Sequence, residues 1–234
     1  MTEPTNADGD TSGPLAPDSG AARSPRRALA AVLGDLRAVD GALYAAVAAT
    51  STPTLDRALR RLSYAADHSK VSLAVAAALA SGGPRPRRAA RAGVVAVAVA
   101  SASTNLLGKR LVRRARPDRE AARVTVGRYV PMPASASFPS GHTASAVAFA
   151  TAVGVVLPVA AVPLGVLASA VGYSRVHTGV HYPGDVAAGA VVGIASAAVA
   201  LAAAAATPAS GPRPARSAAP TAPRPSARHR RRRP

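Results

Sequence analysis

The chain has 234 residues, enough for one sizeable helical domain, and no cysteine, which excludes a disulfide framework and thiolate metal sites. Hydrophobic residues make up 49% but aromatic ones only 3%, with no tryptophan, so a soluble core would lack its usual bulky anchors. Small side chains suit close helix packing in lipid instead. The net charge of +18 is gathered at particular places rather than spread evenly.

Residues 1–27 are rich in Pro, Gly, Ser, Thr and Asp and are predicted to be disordered. They do not read as a signal peptide, because the apolar stretch comes late and is interrupted. Residues 28–206 are expected to form the folded unit. Ala28 to Thr50 carries Asp35, Arg37 and Asp40, so an interfacial amphipathic helix competes there with a membrane span. Ser63 to Ser81 is apolar after Lys70 but starts with Asp67, His68 and Lys70. Those three read more simply as a membrane-interface cluster than as headgroup ligands. Ala89 to Leu107 is mostly Ala and Val and close to the roughly 20 residues that cross a bilayer core. Thr143 to Leu157 and Val159 to Tyr173 are shorter apolar segments divided by Pro158, with Pro163 just beyond. Val186 to Ala206 is apolar throughout. The pattern predicts an all-α, polytopic transmembrane bundle of about six spans.

Residues 207–234 form a predicted disordered tail rich in Pro and Arg, with no acidic residue. Nucleic-acid binding is not expected, because no aromatic stacking residues accompany the arginines. Cytoplasmic basic residues flanking spans are the simpler reading. Arg85, Arg87, Arg88 and Arg91 precede one span and the Arg-rich tail follows the last. Placing both in the cytoplasm puts both termini inside and the loops 108–141 and 174–185 outside the cell membrane. The first of those loops is itself basic, which its function must explain.

Three polar clusters interrupt the apolar sequence. Lys109 and Arg116, with Pro117 after them, put two cations at the end of a span. Arg grips a phosphate through two parallel bonds, while Lys acts as a point charge. Snorkelling to the interface is the bland alternative, and it fits Arg110, Arg113 and Arg114. Pro139-Ser140-Gly141-His142 leads into an apolar helix. Ser140 is a natural N-cap, the helix start directs backbone N–H groups at an anion, and Gly141 permits close approach. The third cluster runs from Ser174-Arg175 to His181 and Asp185. The i,i+4 spacing brings the carboxylate to the imidazole, where it fixes the tautomer and leaves Nε2 free to attack. His177 and Tyr182, between these positions, are expected to line the site at most.

In order and internal spacing, Lys109-x6-Arg116-Pro117, Pro139-Ser140-Gly141-His142 and Ser174-Arg175-x5-His181-x3-Asp185 resemble the three-part signature of the type 2 phosphatidic acid phosphatase (PAP2) superfamily. The resemblance covers about residues 63–206. It implies a helical core shared with haloperoxidases and a lipid phosphatase that works through a phosphohistidine. By the same resemblance His181 is the nucleophile, Asp185 orients it, and His142 is the general acid and then the base. Lys109, Arg116, Ser140, Gly141 and Arg175 hold the phosphoryl oxygens. Ser174, Pro117 and Pro139 belong to the motif without an assigned role. No cofactor or metal is implied, the cations standing in its place. The implied partners are a phosphorylated lipid and the plasma membrane, with the site on the extracytoplasmic face. Two alternatives are weighed against this: a vanadate-dependent haloperoxidase, disfavoured by the long apolar spans, and a non-enzymatic basic membrane protein that binds anionic polymer through its tail. Candidate substrates are phosphatidic acid, a polyprenyl diphosphate, and a prenyl-phospho-sugar phosphate.

Overall fold

A computed structural model describes residues 25–206, apart from the side chains of Leu107 and Lys109. The Arg-rich tail and most of the N-terminal segment therefore lie outside the described residues. Among the latter the structure is helical, without strands. The first helix, α1 (Pro25–Ala49), takes in the last three residues of the segment expected to be disordered. Its apolar Leu29, Val32, Leu36 and Leu43 point outward, while Asp40 and Tyr44 are buried. Asp35 and Arg37 of the same helix are exposed, so only its second half turns a charged residue inward.

The second helix, α2 (Pro53–Ala65), starts on a proline and carries Asp56 in its first turn, where a carboxylate complements the helix dipole. The single apolar segment expected over 63–81 is broken. His68 and Ser69 both adopt left-handed backbone, with φ of 54° and 59°. Non-glycine residues in that region cost about 1–3 kcal/mol each, and such turns persist where their surroundings fix them. After the break comes α3 (Lys70–Ala80), whose 11 residues rise only about 16 Å, too short for a bilayer core of about 30 Å.

The fourth helix, α4 (Pro84–Ala102), continues through a π-helical stretch, Ser103–Gly108, and one further turn to Leu111. A long connection to residue 140 follows. Then come α5 (Gly141–Val156), α6 (Ala161–His177) and α7 (Pro183–Ala206). By length and composition three helical segments can cross a membrane: Pro84–Leu106, Pro158–His177 and Pro183–Ala206. The apolar Gly141–Val156 is shorter. This is fewer than the six expected, because charge marks α1 and the 68–69 turn divides the next segment.

Helix α5 lies at the centre, against α4, α6 and α7. Its packing rests on small residues: Ala96, Ala100, Ala144, Ala148, Ala152 and Ala197 form one buried cluster. A Cβ at Gly189 would lie 2.5 Å from the Ser140 carbonyl oxygen, and one at Gly193 would lie 2.6 Å from that of Ala144. Helices α5 and α7 therefore meet backbone to backbone. The scarcity of aromatics is the condition for this contact, since dispersion between close backbones replaces bulky interdigitation.

The connection 112–140 is laced down by arginines. Buried Arg128 donates to Asp56 at 2.9 Å and to the Val47 carbonyl at 3.1 Å, and also bonds the Thr50 carbonyl. Arg119 donates to the carbonyls of Gly179 at 3.2 Å and Val130 at 2.9 Å. His177, expected as a lining residue, is instead buried against Asp56 at 2.9 Å and helps hold α2 to α6.

Candidate active site

The ends of α4, α5 and α6, the turn before α3 and the connection 112–140 converge on one cavity of about 490 Å³. Five residues of the three sequence clusters line it: Arg116, Gly141, His142, Arg175 and His181. The clusters are thus one site, although up to 65 positions separate these five residues in sequence.

His181 sits in the short α6–α7 connection, and Asp185 lies in the first turn of α7, which begins at Pro183. The carboxylate Oδ2 stands 3.5 Å from His181 Nδ1. It is fully buried and strongly bound: Ser137 Oγ donates to Oδ2 at 2.5 Å, the Tyr182 N–H donates at 2.9 Å, and Arg114 Nη1 donates to Oδ1 at 3.0 Å. Ser137 Oγ also lies 3.4 Å from His181 Nδ1. With Nδ1 turned to this group, Nε2 is the nitrogen beside Arg116, whose Nη1 is 3.4 Å away. Burial pushes the His181 ring down to about 4; Asp185 opposes the shift, while Arg116 and Arg175 add to it. At neutral pH the ring is therefore uncharged, as a nucleophile must be.

Arg116 reaches the cavity from an extended stretch and donates to the carbonyls of Val180 and Ser135, both at 3.0 Å. Arg175, in the last turn of α6, donates to Ser63 Oγ at 2.6 Å, and its Nε has no partner among the described residues. A buried guanidinium N–H left unpaired beside a cavity is suited to an anion. His142, in the first turn of α5, places Nε2 2.8 Å from Asp67 Oδ1.

Ser140 caps α5: its Oγ accepts from the Thr143 N–H at 3.5 Å and from the Thr143 hydroxyl at 3.0 Å. It is fully buried and does not line the cavity, so its placement supports a capping role over the direct phosphate contact expected of it. Ser174 is likewise buried and donates to the Val171 carbonyl within its own helix. Pro139 packs on Gly108, where a Cβ would meet its Cδ at 2.5 Å, and this seats the second cluster on the end of α4. Pro117 follows Arg116 in the non-helical stretch. The backbone of Lys109 lies in the turn ending α4, and its side chain is outside the described part.

Four participants escape the motif spacing. Ser137 bridges Asp185 and His181. Arg114, expected to snorkel, pairs with both Asp185 and Asp40, the latter at 2.6 Å, and stacks 4.0 Å from the Tyr182 ring centroid. Asp40 of α1 also accepts the Gly184 N–H at 2.6 Å, pinning the start of α7. Asp67, expected in an interface cluster, lies in the cavity wall. The one sequence signal for Asp40 and Asp67 was a carboxylate inside an apolar segment.

Comparison with known proteins bears on the family and the fold. The family model described as PAP2 superfamily matches residues 89–207. Decaprenylphosphoryl-5-phosphoribose phosphatase of Mycobacterium tuberculosis is 44% identical over 98 residues, which are 40% of this chain and 50% of that protein. The chain thus matches only half the length of that relative. The protein of the same name from Mycolicibacterium smegmatis is 37% identical over 160 residues, 65% of this chain and 82% of that one. Among solved structures, LpxE of Aquifex aeolicus aligns over 68% of this chain and 93% of its own, with 25% identity and a TM-score of 0.56. The transmembrane PAP2-type phosphatidylglycerolphosphate phosphatase of Bacillus subtilis aligns over 76% and 91%, with 22% identity and a TM-score of 0.60, a likeness of fold. The matched family model takes in half of the sequence and all three motifs, though no residue of the fold's first three helices, and the chain belongs to the PAP2 superfamily.

Proposed function

We propose that this protein is a membrane phosphatase that removes a phosphate from a lipid-linked headgroup through a phosphohistidine on His181. The observation that carries the reading is the His181–Asp185 pair, with Nδ1 held toward the carboxylate and Nε2 beside Arg116 in a cavity that also holds Arg175 and His142. The Nε2 lone pair forms a bond to phosphorus as the ester P–O bond breaks, and His142 gives its proton to the departing oxygen. Water then attacks phosphorus while His142 takes up its proton, the P–N bond breaks with its electron pair returning to Nε2, and inorganic phosphate leaves. Arg116, Arg175, Lys109 and the N–H groups at the start of α5 neutralise the charge on the phosphoryl oxygens.

The site opens at the ends of apolar helices, level with lipid headgroups. Arg85 at the other end of α4 donates to the Val156 carbonyl at the far end of α5, at 3.1 Å. The basic Arg85–Arg91 stretch and the cavity thus lie at opposite ends of the bundle. The positive-inside rule then favours a cytoplasmic Arg cluster, cytoplasmic termini and an extracytoplasmic site in the plasma membrane. Residues 28–206 would be the catalytic unit, with 207–234 dispensable for turnover.

The relatives' name points first to a prenyl-linked sugar phosphate. The test is phosphate release by the purified protein from that class, from phosphatidic acid and from a polyprenyl diphosphate. Release from the sugar phosphate, lost in His142→Ala and His181→Ala, is expected. Equal release by the His181→Ala variant would refute the mechanism.

A further inference from the structure

Asp67 stands in the cavity wall on the turn between α2 and α3, outside the three sequence clusters and outside residues 89–207. Its Oδ1 is 2.8 Å from His142 Nε2 and 3.9 Å from Arg175 Nη1. A carboxylate has only lone pairs to offer, so Nε2 is the nitrogen that carries hydrogen. The turn that presents Asp67 is followed at once by two left-handed non-glycine residues, His68 and Ser69, which also line the cavity. Strained backbone held in a cavity wall is where a fold fixes a side chain for use. Burial pushes the His142 ring down to about 4, with Arg175 adding to the shift and Asp67 opposing it, so a second proton on the ring needs both the carboxylate and the charge of a bound phosphate. A general acid needs that proton.

Resting on the phosphatase reading above, we propose that Asp67 is the positioning residue of the general acid: it holds His142 by Nε2–H and offsets the neighbouring arginines so that the ring carries the proton destined for the leaving oxygen. The site then contains two His–carboxylate pairs with opposite tasks. Asp185 holds a neutral ring by Nδ1 for attack, and Asp67 holds the other ring by Nε2 for proton transfer. In the first step the proton passes from the His142 imidazolium to the ester oxygen while the P–O bond breaks. Asp67 keeps its charge throughout and favours return of a proton from water in the second step.

A leaving group that needs no proton separates this role from a structural one. Octyl phosphate leaves as an alkoxide and needs an acid, whereas p-nitrophenyl phosphate leaves as a stable phenolate. For Asp67→Asn, the first turnover on octyl phosphate should slow roughly 10- to 100-fold, part of the 10²–10⁴ that general acids supply. The p-nitrophenolate burst should change less than about threefold, because that step draws little on the acid. Asp67→Glu should recover much of the octyl phosphate rate. Inhibition by inorganic vanadate should stay within about threefold of wild type if the phosphate cradle is intact. Equal slowing on both substrates, or lost vanadate inhibition, would show that Asp67 merely shapes the cradle and would overturn the proposal. Wild-type rates on octyl phosphate in Asp67→Asn, with His142→Ala inactive, would overturn it while leaving the phosphatase reading in place. A wild-type protein inactive on both esters would remove that reading itself.

Discussion

Ser137 Oγ donates to Asp185 Oδ2 at 2.5 Å and lies 3.4 Å from His181 Nδ1, so the orienting carboxylate of this site is shared between a histidine and a serine. Together with the Tyr182 N–H and Arg114, Ser137 leaves Asp185 little freedom to rotate. Asp185→Asn should keep the shape but offer an N–H where the imidazole needs an acceptor. By analogy with other carboxylate–histidine pairs, turnover should fall by about 10²–10⁴-fold. Ser137→Ala, which loosens the carboxylate without removing it, should cost only about tenfold, the scale of one lost hydrogen bond of about 1.4 kcal/mol. Steady-state phosphate release measures both. A larger loss in Ser137→Ala than in Asp185→Asn would contradict the geometry.

The sequence made the two histidines, the arginines and the fold class legible, because a short signature states identity and spacing. Ser137 and Asp40 were not legible. Ser137 lies just outside a motif, in a stretch rich in Ser and Ala, and nothing local marks it. Asp40 acts across 144 positions on Gly184, a contact made only when α1 packs on α7. The break at His68 was hidden for another reason: no glycine or proline announces it, and the left-handed turn is imposed by tertiary surroundings. The π-helical end of α4 was equally invisible, since periodicity alone continues the helix. His177 misled in the opposite direction, since its place inside a motif suggested the site while its ring is committed to Asp56.

The charge state of His181 is open to direct measurement. Burial lowers its folded-state value to about 4, below the usual value of about 6.5 for an unfolded histidine. A depressed histidine contributes stability that is present above the unfolded value and lost as pH falls through the folded one. The window is therefore about 6.5 down to about 4. In ring-labelled protein without phosphate, the signal that disappears in His181→Gln should still be that of a neutral ring at pH 5.5, where a free imidazole is mostly charged. Protonation with a midpoint near 6.5 would contradict the burial argument.

Backbone contact between α5 and α7 makes a second, independent claim. A Cβ at Gly189 falls 2.5 Å from a backbone oxygen of the residue that caps α5. Gly189→Val must push the two helices apart next to Ser140, so both stability and activity should fall. The expected loss is about 1–3 kcal/mol from overpacking, read from thermal unfolding in detergent. Val191→Ala on the exposed face of the same helix should be nearly silent. Equal effects at the two positions would rule out the close approach.

His181 is expected to carry the phosphoryl group, and turnover of a ³²P-labelled lipid phosphate quenched in alkaline detergent tests this most directly. An acid-labile, base-stable label is expected on the peptide containing His181, absent in His181→Ala and accumulating when His142→Ala slows its hydrolysis. Turnover by wild-type protein with no label on His181, or with the label on another residue, would contradict it.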